Sequence, residues 1–315
     1  MTQPLAEAEN LSVVFDGRLR AVDRVSLQLA AGETFGLVGE SGSGKTTIAK
    51  TLIGLTEPSS GRVRFEGRDL ATFRRGDWMW FRRQTQFMFQ DPVSSLSPRL
   101  TIRSLLTEPL RIHGFHPKRE FTRVTELMAA VGLSEALLDK YPHQVSGGQA
   151  RRIAIARALV LHPSLVIADE PTAGLDVSVQ GDLLNLMSDL KRQFGLTYLL
   201  VSHNLNVIRK VTDRVAVLYL GQIVEIGTTR AVFTAPAHPY SYALISANPE
   251  IDPAKRRHKV VLAGEIPSPL RPPPGCRFHT RCPRAAERCR VEEPKLRSMG
   301  EGRSAAACHF PLGVP

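Results

Sequence analysis

The sequence predicts an α/β fold: strands alternating with helices form the core, joined by an antiparallel β portion, an inserted helical portion and a small loop-rich C-terminal extension. Three observations predict it. Short, nearly wholly apolar runs (Thr34–Val38, Leu165–Ala168, Thr197–Val201) stand between longer amphipathic stretches, as buried parallel strands and their covering helices do. Residues 100–160 are mostly helical in pattern, broken at Tyr141-Pro-His143 and Ser146-Gly-Gly148. Past about residue 235 the periodicity fades, and ten of the 22 prolines fall in residues 251–315.

Taken in order, Leu11–Phe15 and Ala21–Leu29 read as strands, followed by the buried strand Thr34–Val38. Thr46–Leu55 reads as a helix that Pro58-Ser-Ser-Gly61 punctuates, and Gly61–Gly67 as part of a hairpin. A helix follows the Ser-Gly-Gly turn over Ala150–Leu161, and the strand Leu165–Ala168 delivers two acidic residues at its end. Thr197–Val201 ends at Ser202-His203. The Pro-rich tail lacks the pattern of a self-sufficient core and calls for a staple.

The chain has 315 residues, 43% of them hydrophobic, enough for one large domain with an appendix. No run approaches the roughly 18 apolar residues that span a bilayer. The start, MTQPLAEAEN, lacks the basic and apolar regions of a secretory signal, so the expected location is the cytosol. The net charge of +11 is uneven: residues 251–315 hold 13 Lys/Arg against 6 Asp/Glu. Charge gathered in a tail reads as a solvated face or an approach to anionic headgroups rather than a nucleic-acid site.

Gly39-Glu40-Ser41-Gly42-Ser43-Gly44-Lys45-Thr46 fits G-x-x-x-x-G-K-[ST] and lies between a predicted strand and a predicted helix. Glycines permit a tight loop whose backbone N–H groups face phosphate oxygens, and the helix N-terminus adds partial positive charge. Lys45 would reach the β- and γ-phosphates, the Thr46 hydroxyl would coordinate Mg²⁺, and Thr47 beside it belongs to the same nucleotide-binding loop. Asp169 and Glu170 arrive at the carboxyl edge of the sheet, where such folds bind ligands. Asp169 suits Mg²⁺, and Glu170 suits orienting and polarising an attacking water.

Val145-Ser146-Gly147-Gly148-Gln149 lies 20 residues before Asp169, at a helix start. With the phosphate loop and Asp169-Glu170 it closely resembles the signature of ATP-binding-cassette (ABC) ATPases, a resemblance covering residues 10–230. It implies a P-loop NTPase fold with a RecA-like core. It also implies a nucleotide-binding domain over 1–235, with its helical subdomain at about 92–160, and a C-terminal extension over 236–315. By the same resemblance Gln90, in Phe87-Met-Phe-Gln-Asp-Pro92, matches the Q-loop, which senses the γ-phosphate and Mg²⁺. Ala173-Gly-Leu-Asp176 matches the D-loop, His203 the γ-phosphate-holding H-loop, and Phe15 the aromatic that stacks on adenine. Two subunits of the family face head to tail, each ATP lying between the P-loop of one and the signature of the other. Asn204 stands where the family usually has Asp, and Gly174 where alanine is common.

Phe89–Pro98, Tyr141-Pro-His143, Ser146–Gln149 and Tyr219-Leu-Gly221 resemble the peptide/nickel (oligopeptide and dipeptide) importer ATPases, more the F-type member of the pair. His238-Pro-Tyr240, Gly264–Pro269 and the cysteine tail match that branch's extension. The resemblance implies a subunit coupling ATP hydrolysis to uptake of peptides or a similar small solute. It works with two transmembrane permeases, a second ABC ATPase subunit and, indirectly, an extracytoplasmic solute-binding protein, at the cytoplasmic face of the membrane. The rival reading is a soluble ABC ATPase acting on ribosome or nucleic acid.

Cys276, Cys282, Cys289 and Cys308 follow C-x5-C-x6-C-x18-C, without the tight knuckle usual in zinc sites. In a reducing compartment such a cluster asks for a metal explanation. Four thiolates on a basic, loop-rich segment suit a [4Fe–4S] cluster; zinc, with His279 or His309, and four free thiols remain open.

Overall fold

The computed structural model describes residues 3–91, 93–116, 119–247, 262, 264–300, 302 and 304–313. Pro92, at the expected start of the helical subdomain, and most of 248–263 lie outside the described residues. The chain forms two compact units: Met1–Ala71 with Leu200–Pro315, and Thr72–Leu199.

The first unit opens with strands β1 (Ala6–Phe15), β2 (Leu19–Leu29) and β3 (Thr34–Val38), helix α1 (Lys45–Leu52), and strands β4 (Ser60–Phe65) and β5 (Arg68–Asp69). The second holds α2 (Arg75–Gln84), β6 (Thr85–Met88), α3 (Ile102–Ile112), α4 (Phe121–Ala130), α5 (Gly147–Leu159), β7 (Leu165–Asp169) and α6 (Val177–Phe194). Strand β8 (Thr197–Val201) leads back to the first unit, which is completed by α7 (Leu205–Val211), β9 (Arg214–Tyr219), β10 (Gln222–Thr228), α8 (Thr229–Thr234), α9 (Pro239–Ala247), α10 (Glu287–Val291), β11 (Arg297–Ser298) and β12 (Ala305–Ala306).

In the first unit β2, β1, β4 and β5 form an antiparallel sheet in that order. Its burial alternates over the end of β2, where Val25, Leu27 and Leu29 are buried and Arg24, Ser26 and Gln28 exposed, the period-2 pattern of a half-buried sheet. The expected hairpin at Gly61–Gly67 is present as β4–β5, turned at Glu66 and Gly67, both with positive φ. The other strands of this unit run β11-β12-β10-β9-β3; β3 pairs parallel with β9 and the rest antiparallel. All five residues of β3 are buried, as the apolar run predicted.

The expected helix Thr46–Leu55 is shorter: α1 stops at Leu52, and Gly54 takes a positive φ. The helix expected over Ala150–Leu161 starts earlier, at Gly147, because Ser146 caps it. In the second unit β6 and β7 pair in parallel, and β7 is buried up to Ala168. Arg157 of α5 reaches Glu108 of α3 at 2.8 Å, and Arg152 Nη1 donates to Val131 O at 2.7 Å, fastening α5 within that unit.

The tail carries more structure than its lost periodicity suggested. Residues 276–313 add α10 and a two-strand edge, with β12 pairing β10 through Glu225–Ala306 and Ile226–Ala305. Glu225, fully buried, accepts from Ala237 N (2.8 Å), His238 N (2.9 Å) and the Ser304 hydroxyl. A buried carboxylate is tolerable when its lone pairs are filled this way. One acidic side chain thus ties the start of α9 and the last strand to β10.

Candidate functional site

The glycine-rich loop leaves β3 and enters α1. Its shape is enforced by steric exclusion at two positions. A Cβ on Gly39 (φ +150°) would lie 2.3 Å from Leu218 O, and one on Gly44 (φ +99°) would lie 2.3 Å from Ala21 O. Only glycine fits both. The Lys45 ammonium donates to Gly39 O and Glu40 O, each at 2.9 Å, and to Ser43 Oγ at 3.3 Å. Lys45 is buried, so its charge stands in the concavity of the loop rather than in solvent. Backbone N–H groups around a buried ammonium form a nest for phosphate oxygens.

The turn between β9 and β10 buttresses this loop. Leu220 and Gly221 both have positive φ, a two-residue hairpin turn. Gly221 N–H donates to Ser43 O at 3.0 Å, and Asp23 N–H donates to Gly221 O at 2.9 Å. A side chain on Gly221 would meet Ala21 O at 2.9 Å. The Tyr219-Leu-Gly221 motif is therefore a buttress for the phosphate loop. His238-Pro-Tyr240 is a second one: Glu40 N–H donates to the Tyr240 hydroxyl at 3.0 Å. His238, fully buried, has its pKa pushed down to about 3 by desolvation, and its Nδ1 accepts from Tyr240 N–H at 3.1 Å. Sequence reasoning used both motifs only as marks of a branch.

Elsewhere in the first unit, Phe15 ends β1 and is 40% exposed. Exposed His203 follows β8, and Asn204 caps α7, its side chain accepting from Asn206 N and Val207 N. Asn and Asp are comparable caps, so replacing the usual Asp keeps the turn after His203.

The second unit carries the other predicted residues. Ser146 and Gln149 form a capping box on α5: Ser146 Oγ accepts from Gln149 N–H at 3.2 Å, and Gln149 Oε1 accepts from Ser146 N–H at 3.0 Å. The box leaves the Ser146 O–H proton available as a donor. Gly147 and Gly148 are exposed, and nothing lies within 4 Å of a Cβ built on either. This helix end is bare backbone, open to an anion approaching from outside. Gln90 is exposed beside Phe89, whose ring meets that of Phe87 at a tilt, centroids 4.8 Å apart. The neighbouring Asp91 accepts from Val93 N and Ser94 N.

Asp169 ends β7, and Glu170 has φ +52°. A non-glycine residue held there stores backbone strain of about 1–3 kcal/mol, a feature that clusters at functional sites. Glu170 O accepts from Ala173 N at 3.0 Å, closing a turn toward Asp176, the N-cap residue of α6. Gly174, in place of the common alanine, has φ +70°, which glycine adopts without strain.

Cys276, Cys282, Cys289 and Cys308 line one small cavity of about 10 Å³, with His279 and His309 among its other walls. No disulfide joins them. Burial pushes the Cys276 thiol up to about 12 and the Cys308 thiol up to about 11, and raises Cys282 as well. Among the described residues no three His, Cys, Asp or Glu side chains are grouped so as to hold a single metal ion.

The segment matching the family model for the ABC transporter is residues 22–173, and residues 224–289 match the C-terminal region of oligopeptide/dipeptide transporters. CbiO1 from Clostridium perfringens, part of an ABC transporter complex, superposes with TM-score 0.67 at 28% identity, over 74% of this chain and 91% of that one. A dimeric ATP-binding cassette bound to ADP and phosphate superposes with TM-score 0.62 at 28% identity, over 71% and 99%. Fold and loop thus define an ATPase of the ABC class.

Among sequence relatives, the probable peptide ABC transporter ATP-binding protein y4tS of Sinorhizobium fredii is 49% identical over 92% of this chain and 82% of its own length. The oligopeptide transport ATP-binding protein OppF of Salmonella typhimurium is 47% identical over 92% and 87%. The putative oligopeptide transport ATP-binding protein YkfD of Bacillus subtilis is 43% identical over 98% and 95%. The chain belongs to the ATP-binding proteins of the oligopeptide/dipeptide ABC transporter family.

Proposed function

We propose that this ATPase drives the import of peptides or a similar small solute through a membrane complex. The phosphate loop, with Lys45 held inside a turn that only glycines can make, supports the ATPase half of the reading, and the match of residues 224–289 to the C-terminal region of oligopeptide/dipeptide transporters supports the import half. In this reading Gly39–Thr47 and Phe15 bind ATP, while Ser146, Gly147, Gly148 and Gln149 face the γ-phosphate of the nucleotide bound by a second ATPase subunit. Asp176 belongs to the same shared face. Thr46, Gln90 and Asp169 would hold Mg²⁺; hydroxyl, amide and carboxylate oxygens are the hard donors that ion prefers, and it supplies charge neutralisation of the phosphates. Glu170 accepts a proton from the attacking water, Lys45 draws charge from the phosphoryl oxygens, and His203 and Gln90 hold the γ-phosphate in line.

The subunit would sit peripherally on the cytoplasmic face of the membrane with two permease subunits, a second ABC ATPase and, indirectly, a solute-binding protein. Among the described residues no helix is long and apolar enough to cross a membrane. Residues 1–235 are the motor and 236–315 its extension. Cys276, Cys282, Cys289 and Cys308 would hold a [4Fe–4S] cluster that staples the extension. What supports this reading is the set of four thiols around one small cavity on a basic, loop-rich segment.

The test is Glu170→Gln: ATP binding persists and turnover collapses, and surviving turnover overturns the assignment. Affinity purification should recover two multispanning proteins. Recovery of ribosomes or DNA instead would sink the importer reading.

A further inference from the structure

The phosphate loop carries a carboxylate where a polyanion must bind. Glu40 lies between Gly39 and Ser41, and its backbone carbonyl accepts from the Lys45 ammonium at 2.9 Å. The carboxylate does not stand alone: Arg281, from the C-terminal extension, grips it in a fork, Nη1 to Oε2 at 2.7 Å and Nη2 to Oε1 at 3.1 Å. The Arg281 side chain is only 8% exposed, and its guanidinium lies 5.9 Å from the Tyr219 ring centroid. The Tyr240 hydroxyl takes the Glu40 N–H, and the rings of Tyr219, Tyr240 and Phe278 pack together with centroids 4.7–5.3 Å apart. One residue of the phosphate loop is thus held at backbone and side chain by groups 200 and 241 positions away.

We propose that Arg281 is a positioning residue for nucleotide binding: it neutralises Glu40 and fixes the phosphate loop, making the extension part of the ATP site. The inference rests on the loop's being the phosphate site. The chemistry follows from charge. With Arg281 paired, the loop presents Lys45 to the phosphates without opposition; without it, a carboxylate on the same short turn repels the triphosphate in a partly buried, weakly screened setting. A bidentate guanidinium also fixes the Glu40 rotamer in a way a lysine does not. Arg281 adjoins Cys282, so whatever orders the thiol cluster also orders this residue.

The experiment measures ATP affinity and steady-state kinetics on the full chain. Arg281→Ala should weaken ATP binding by about tenfold or more, with the loss in KM rather than kcat. The double variant Arg281→Ala/Glu40→Gln should return affinity to within about threefold of the unaltered protein, a rescue that a purely structural role of Arg281 would not give. Glu40→Gln alone keeps the loop backbone but orphans the Arg281 guanidinium, so it should lose ATP affinity, though less than Arg281→Ala, which leaves the carboxylate uncompensated. An Arg281→Ala variant binding within about threefold of normal, or Glu40→Gln losing as much as Arg281→Ala, overturns the inference. Where Arg281→Ala does not fold, Arg281→Lys takes its place: it keeps the charge and loses the fork, and normal ATP affinity with it overturns the positioning role. Lys45→Ala separates the two levels: if it keeps normal ATP affinity, the phosphate-site reading fails; if it loses ATP while Arg281→Ala does not, only the Arg281 inference fails.

Discussion

Replacing Asp23 by Asn should loosen the extension from the first unit, at a cost readable from the geometry. Asp23 sits on β2, 2% exposed, and receives Arg277 of the extension on Oδ2. Arg277 is itself 9% exposed and donates its other terminal nitrogen to Leu220 O in the turn behind the phosphate loop. Arg20 (3.0 Å) and Arg24 (3.3 Å) also touch Asp23, but both are more than half exposed and can return to water. Burial alone would raise the Asp23 pKa; the hydrogen bond from Arg24 and the charge of Arg277 outweigh it, so the carboxyl titrates below its ordinary value. Its contribution is therefore complete at neutral pH and is lost as the solution is acidified through the folded value.

Asp23→Asn keeps the shape and removes the charge, leaving buried Arg277 without its paired carboxylate and with only the opposite charge of Glu293 acting on it. Breaking such a pair from one side costs about 3–5 kcal/mol, while the two exposed arginines add well under 1 kcal/mol each. For a unit of this size that lowers the melting midpoint by roughly 10 °C. Calorimetry on the purified chain reads the shift, and limited proteolysis should locate new cleavage in residues 264–313. The double variant Asp23→Leu/Arg277→Met should recover most of the loss, because the cost lies in the orphaned charge rather than in the missing attraction. A single variant within about 1 kcal/mol of normal, or a double variant no better than the single, would refute this account of the anchor.

Two further outcomes are expected. Because desolvation holds His238 neutral, the unfolded chain takes up a proton below the ordinary histidine pKa of 6.5 that the folded chain refuses down to about 3. Stability should then fall by about 2 kcal/mol between pH 7 and pH 5, and His238→Asn, which keeps an acceptor for Tyr240 N–H, should flatten that slope in urea titrations at the two pH values. An unchanged slope would show that other groups govern acid unfolding. Gly39→Ala places a methyl 2.3 Å from Leu218 O at a positive φ, so ATP binding should drop by at least about tenfold in a fluorescence titration, with the melting midpoint lowered as well. Normal affinity would mean that the loop can reshape around the methyl.

Local features were legible because their physics is local. The run Thr34–Val38 followed by glycines and Lys-Thr predicts strand, loop and helix from hydrophobic period and turn chemistry alone, and all three are present. Ser146 with Gln149 three positions later reads as a helix start, and the structure forms that capping box. The tail was harder. Its strands β11 and β12 have two residues each and owe their conformation to pairing on β10 and to the Ser304–Glu225 hydrogen bond, which no periodicity in residues 297–306 encodes. The apolar pattern Thr46–Leu55 overruns the helix because no turn residue stands before Gly54, and α1 ends at Leu52.

The sequence by itself determined the short local patterns: the glycine-rich loop, the capped helix start at Ser146, the acidic strand end and the four closely spaced cysteines are set by residue types a few positions apart. Only the tertiary structure decided who supports them. Asp23 with Arg277, Glu40 with Arg281 and Tyr240 with Glu40 are separated by 200 residues or more, and each partner is an ordinary Arg, Tyr, Asp or Glu in its own neighbourhood. A charge pair carries no mark of its partner along the chain; the pairing exists only because the folded tail brings the two groups together where water is scarce, and there an unpaired charge is too costly to leave.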